Sequence, residues 1–174
     1  MDITRKENHL KNMIAFSFMM TVVSGMSSEA IADDGLKHFV WAVSAFFMII
    51  GSSMLSSKLT REGHDVPAAG FIVMSIAQAT SYAFIATHDV GNEQFGAVIA
   101  IFIPGLLLIS LYGAVPLVLR ILGILSAMSF TLLALCIYKE VTSDWVIPTL
   151  TTGAYMFMNV ATLWWAWLIF KRKI

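Results

Sequence analysis

Met13 to Gly35 reads MIAFSFMMTVVSGMSSEAIADDG, and its two readings lead to different folds. Behind the basic lead-in ITRKENHLK, the apolar core Met13 to Val23 and the small-residue motif Ala30-Ile31-Ala32 suit a secretory leader. The same residues also suit the first membrane span of a six-helix protein. Ser17, Thr21, Ser24 and Ser28 recur at intervals of four and three, which puts them on one face of a helix. A leader needs no polar face, whereas a helix packed against others uses one. The sequence therefore predicts a retained first span, with Glu29 at its far end.

Composition carries the argument outward. Of the 174 residues, 58% are hydrophobic and 13% charged; soluble domains have roughly 45–50% and 25%. The chain is expected to be an all-α membrane protein. Apolar blocks near the roughly 20 residues needed to cross a bilayer lie at about 12–31, 37–57, 66–87, 95–115, 116–138 and 145–170. The prediction is a single domain, a compact bundle of six transmembrane helices. Nothing between the blocks is long enough to fold alone, which excludes a separate catalytic or nucleotide-binding domain.

In this six-span arrangement Arg5, Lys6, Lys11, Lys58, Arg61, Arg120, Lys171, Arg172 and Lys173 fall on one side, against Lys37 and Lys139 on the other. The positive-inside rule then places both termini in the cytoplasm of a bacterial-type inner membrane. The opposite rim is acidic, carrying Glu29, Asp33, Asp34, Asp89, Glu93, Glu140 and Asp144. A formal net charge of zero thus conceals a polarity along the bundle.

Polar residues within the apolar blocks are the candidates for function. Thr152, Tyr155, Asn159 and Thr162 share a face of the last block, and Ser75, Gln78 and Tyr82 share a face of the third. Hydroxyls at such spacing ordinarily serve helix contacts. The amides of Gln78 and Asn159 each have more donors and acceptors to satisfy in a dry interior. They are expected either to bond to each other or to line a cavity. Trp41 and Trp145 near the acidic rim, with Tyr82 and Tyr155 deeper, would give such a cavity aromatic walls of the kind that hold flat or cationic molecules. Trp164, Trp165 and Trp167 fit an interfacial belt instead.

At the rim, Glu29, His38 and His88 are expected to set the charge and the pH response of the mouth. No HxxxH or HExxH spacing points to a metal. His38 and His88 lie too near the rim for the usual haem ligation, so no cofactor is expected. Cys136 is the single cysteine, which excludes an internal disulfide and a CxxC motif.

No Asp, Glu, Lys or Arg lies deep within the six blocks, as a proton relay or a pair of catalytic carboxylates would require. An enzyme is not expected, and no basic patch suggests nucleic acid. The expected function is binding or transport of a small neutral or weakly cationic solute through an outward-facing polar and aromatic cavity built from Trp41, Gln78, Tyr82, Trp145, Tyr155 and Asn159. The alternative is a structural or regulatory membrane subunit, in a homo-oligomer or with a partner subunit, whose polar stripes serve only helix contacts. A membrane enzyme or redox carrier is a distant third.

Overall fold

The computed structural model describes residues 3–86, 92–140 and 145–171, with side chains for 6–83, 94–140 and 145–171. Six helices follow one another: α1 Ile3–Ser28, α2 Asp34–Arg61, α3 Asp65–Ala86, α4 Asn92–Ser110, α5 Leu117–Tyr138 and α6 Val146–Phe170. No strand occurs among the described residues. Four of the helices, α2, α3, α5 and α6, are long and apolar enough to cross a membrane. The apolar part of α4, Gln94–Ser110, is shorter.

The opening stretch becomes a wall and a corner. Ile14, Ala15, Phe18 and Val22 of α1 are buried, and the helix extends back through the polar lead-in, where Lys11 Nζ meets Glu7 at 3.1 Å. After Ser28 the chain turns, with Ala30 N–H donating to Ser27 O at 3.1 Å. Asp33 then caps α2, its Oδ1 accepting from Leu36 N–H at 2.7 Å. The Ala-Ile-Ala-Asp-Asp run is thus a connector and an N-cap.

Each connection has a local cause. Gly63, with φ +78°, ends α2 in the left-handed conformation that glycine adopts without strain. His64 N–H donates to Leu59 O and Gly63 N–H to Thr60 O, a pair that satisfies the last carbonyls of α2. Pro67 lies in the first turn of α3, where a missing N–H loses nothing. Between α4 and α5 the chain makes a tight turn: Val115 N–H donates to Tyr112 O at 3.1 Å, and α5 begins after Pro116.

Each helix packs antiparallel against the next, and α6 returns to α1. The result is a closed ring of six helices. The start of α1, the end of α6 and the α2–α3 and α4–α5 connections lie at one end, termed terminal; the α1–α2 connection marks the distal end. Glycines set some of the close seams. A Cβ on Gly70 would approach Gly105 O to 2.9 Å, and one on Gly123 would collide with Ser110 Oγ.

Aromatic side chains fill the middle of the ring. Phe71 touches Phe18 and Trp165, with centroids 6.3 and 5.3 Å apart, and Phe102 stacks on Phe130 at 5.2 Å. Phe71 of α3 and Trp165 of α6, on opposite sides of the ring, thereby meet across the axis.

Candidate binding site

The hydroxyl stripes divide from the amides. Ser44 Oγ of α2 donates to Thr21 O of α1 at 2.7 Å, Ser56 Oγ to Ala68 O of α3 at 2.8 Å, and Ser126 Oγ of α5 to Ala154 O of α6 at 3.0 Å. Ser53 and Ser75 share a hydrogen bond at 3.3 Å. Thr21, Ser81 and Thr162 bond to carbonyls four residues back in their own helices. These groups are satisfied within the helices and their seams.

Gln78 is different. It lies four residues after Met74 and seven after Phe71, both buried, so it shares their inward face of α3. The opposite face, with Ile72 and Ile76, is exposed. Gln78 Oε1 is buried and has no hydrogen-bond partner. An unpaired buried carbonyl costs about 1–3 kcal/mol, which makes this atom the strongest recognition element among the sequence candidates.

Its surroundings follow from helix heights. Phe71 and Trp165 touch across the ring and share a level. Gln78 lies about 10 Å beyond Phe71 toward the distal end, and Tyr155 about 15 Å beyond Trp165 in the same direction. The Tyr155 ring stands edge-on to Phe130 at 5.3 Å and to Phe102 at 6.4 Å. Gln78 and Tyr155 therefore occupy neighbouring levels above the aromatic centre.

Trp41, seven residues before buried Met48, faces inward from α2 and is half-buried. From the shared level of Ser53 and Ser75, it lies about 13 Å farther toward the distal end than Gln78. Trp41 is a mouth residue, above the site rather than beside it. Lys37 Nζ stands 5.8 Å from its ring centroid and 3.6 Å from Glu29 Oε2, and the exposed His38 presents its ring edge-on at 6.3 Å. The predicted rim charge of Glu29 is thus matched by Lys37.

The remaining candidates point elsewhere. Tyr82 is 44% exposed and Trp145 70% exposed. Asn159 is half-buried on α6, three residues after Met156 and four before Leu163, which are both exposed. It lies at the edge of the outward face and makes no hydrogen bond to Gln78. His88 lies outside the described residues. Among the described residues, no three His, Cys, Asp or Glu side chains gather as metal ligands do.

Three polar contacts at the terminal end escaped the sequence reading. Lys58 is only 3% exposed, paired with Glu62 four residues on. His64 Nδ1 and Tyr112 Oη lie 3.1 Å apart and join the two connections. Arg120 Nε donates to Ser110 O at 3.0 Å, covering a terminal carbonyl of α4. The Lys58–Glu62 spacing and the short turn between Ser110 and Arg120 were the available signals. An apolar groove of about 360 Å³ opens at this end, lined by Val66, Pro104, Leu107, Leu108, Leu111, Tyr112 and Gly113. It is far from Gln78. Glu7, also here, is held below the usual carboxylate range by its hydrogen bond from Lys11, then by the charges of Lys11 and Lys58.

No protein-family model matches the chain, and no curated protein or solved structure is significantly similar to it.

Proposed function

We propose that the protein is a multi-pass membrane protein that captures a small neutral solute bearing an N–H or O–H donor, which enters from the distal end and bonds to the Gln78 amide. The observation that carries this reading is the buried, unpartnered Gln78 Oε1 on the inward face of a ring otherwise lined there by apolar side chains. An acceptor in such surroundings gains most from a donor that arrives already stripped of water. Tyr155 supplies a flat neighbour one level nearer the entrance, and Trp41 stands at the entrance itself.

The geometry favours the neutral class over the cationic one. The Trp41 ring already has Lys37 beside it, and Glu29 is paired with that same lysine. The packed centre of Phe18, Phe71, Phe102, Phe130 and Trp165 supports capture rather than an open pore. By the positive-inside rule the terminal end is cytoplasmic, so the solute arrives from outside.

A second reading, a structural or regulatory membrane subunit, draws support from Ser44, Ser56 and Ser126, whose hydroxyls bond to carbonyls of neighbouring helices. One experiment separates the two. Purified protein is melted against a panel of small neutral amides, alcohols and flat heterocycles. Capture predicts that at least one class raises the melting temperature of the wild type and of Tyr82→Phe, but not of Gln78→Met. If nothing in the panel stabilises the wild type, or Gln78→Met responds equally, the subunit reading replaces capture.

A further inference from the structure

The edge of the outward face of α6 carries an amide that lipid cannot satisfy. Asn159 is near the middle of the 25-residue helix and makes no hydrogen bond among the described residues. Thr152, Met156, Asn159 and Leu163 follow one another at intervals of four, three and four, the spacing of a helix–helix seam; Phe170 lies a heptad beyond Leu163, and Ala166 between them is buried. Thr152, Met156, Leu163 and Phe170 are all exposed.

We propose that this face pairs with the same face of a second copy, forming a parallel two-fold dimer centred on Asn159. The proposal rests on α6 being a membrane span and is independent of any solute. Two copies inserted in the same orientation are related by an axis along the membrane normal, which sets α6 beside α6 of the partner with equal residues at equal depth. Each Asn159 carboxamide then donates one N–H to the Oδ1 of Asn159 of the partner subunit and accepts one in return. A carboxamide is both donor and acceptor, so the pair is self-complementary. Apolar side chains gain little from each other in lipid; an amide that finds a partner there selects one face and one register.

The test uses the full chain in phosphatidylcholine–phosphatidylglycerol vesicles. In a Cys136→Ser background, Met156→Cys and Leu163→Cys are expected to form covalent dimers on mild oxidation. Met128→Cys on α5 and Met19→Cys on α1, equally exposed positions on other helices, are expected to remain monomeric. This arm leaves Asn159 in place, so it reports the seam even if an Asn159 variant misfolds. In single-molecule photobleaching of the otherwise wild-type protein, Asn159→Leu is expected to lower the association constant on the order of tenfold, and Asn159→Gln to restore most of it. A wild type that bleaches in single steps at all protein densities overturns the proposal. So do cross-links at 128 or 19 as efficient as at 156 and 163, or a folded Asn159→Leu variant that associates like the wild type.

Discussion

Replacing Gln78 by methionine is expected to stabilise the empty protein while abolishing its response to solute. Most substitutions of an inward-facing residue destabilise, so the sign is the test. Methionine has nearly the length of glutamine and no strong acceptor. It removes the unpartnered Oε1 and leaves a side chain suited to the apolar wall of Met48, Met74, Phe102 and Met158. Removing an unsatisfied buried carbonyl recovers about 1–3 kcal/mol. At about 2–4 °C per kcal/mol for a chain of this size, the melting temperature should rise by several degrees. The assay is thermal unfolding of purified protein, followed by tryptophan emission, with extensively washed samples so that no solute remains. A fall in melting temperature would mean that the amide is paired in the empty protein, and the argument from a vacant acceptor would fail.

Other expectations follow from the seams. Gly123→Ala should destabilise by about 1–3 kcal/mol, because its new Cβ would collide with Ser110 Oγ; Ser110→Ala, which removes a buried hydroxyl without a partner, should be neutral to stabilising alone and recover much of the loss in the double variant, a coupling read by a double-mutant cycle. Ser56→Ala and Ser126→Ala should each lower stability by about 0.6–2 kcal/mol in unfolding measurements, through the lost bonds to Ala68 O and Ala154 O. Glu62→Gln should destabilise more than Lys58→Met, because it leaves a nearly enclosed ammonium without its partner, and equilibrium unfolding orders the two. The Glu7–Lys11 pair has a lowered carboxylate pKa, so its contribution is present above the ordinary Glu value and is lost as pH falls through the lowered one. Lys11→Gln should return the Glu7 titration, followed by NMR, toward that ordinary value.

Corners of the fold were legible in the sequence because they depend on local chemistry. Gly63 ahead of Pro67, and Tyr112 to Pro116 with no helix-forming stretch between them, announce turns without help from distant residues, whereas Asp33, read as part of the acidic rim, caps α2. The facing of each helix was less accessible. Gln78 and Tyr82 share a four-residue spacing, yet Gln78 turns into the ring and Tyr82 stands 44% exposed. When a helix is apolar on nearly all sides, periodicity shows which residues share a face but does not distinguish inside from outside. Asn159 illustrates the same limit: its stripe with Thr152 and Tyr155 spans enough of the helix surface for Tyr155 to meet Phe130 while Asn159 sits beside exposed Met156. Lys58 belongs to a different class. Its position near a connection suggested solvent, but it is buried and paired with Glu62.

The seam between α1 and α6 is the one junction of the ring with no connecting segment. A ribosome delivers α1 well before α6, so the inward residues Ile14, Phe18 and Val22 wait beside an open edge until α6 arrives. Assembly should therefore end with a zippering step whose rate depends on α6 alone. The same feature makes the order of helices a matter of manufacture rather than architecture. Because α1 begins and α6 ends at the same end of the ring, a linker joining those two helix ends and a new break in the α2–α3 connection should yield a circular permutant with an unchanged interior.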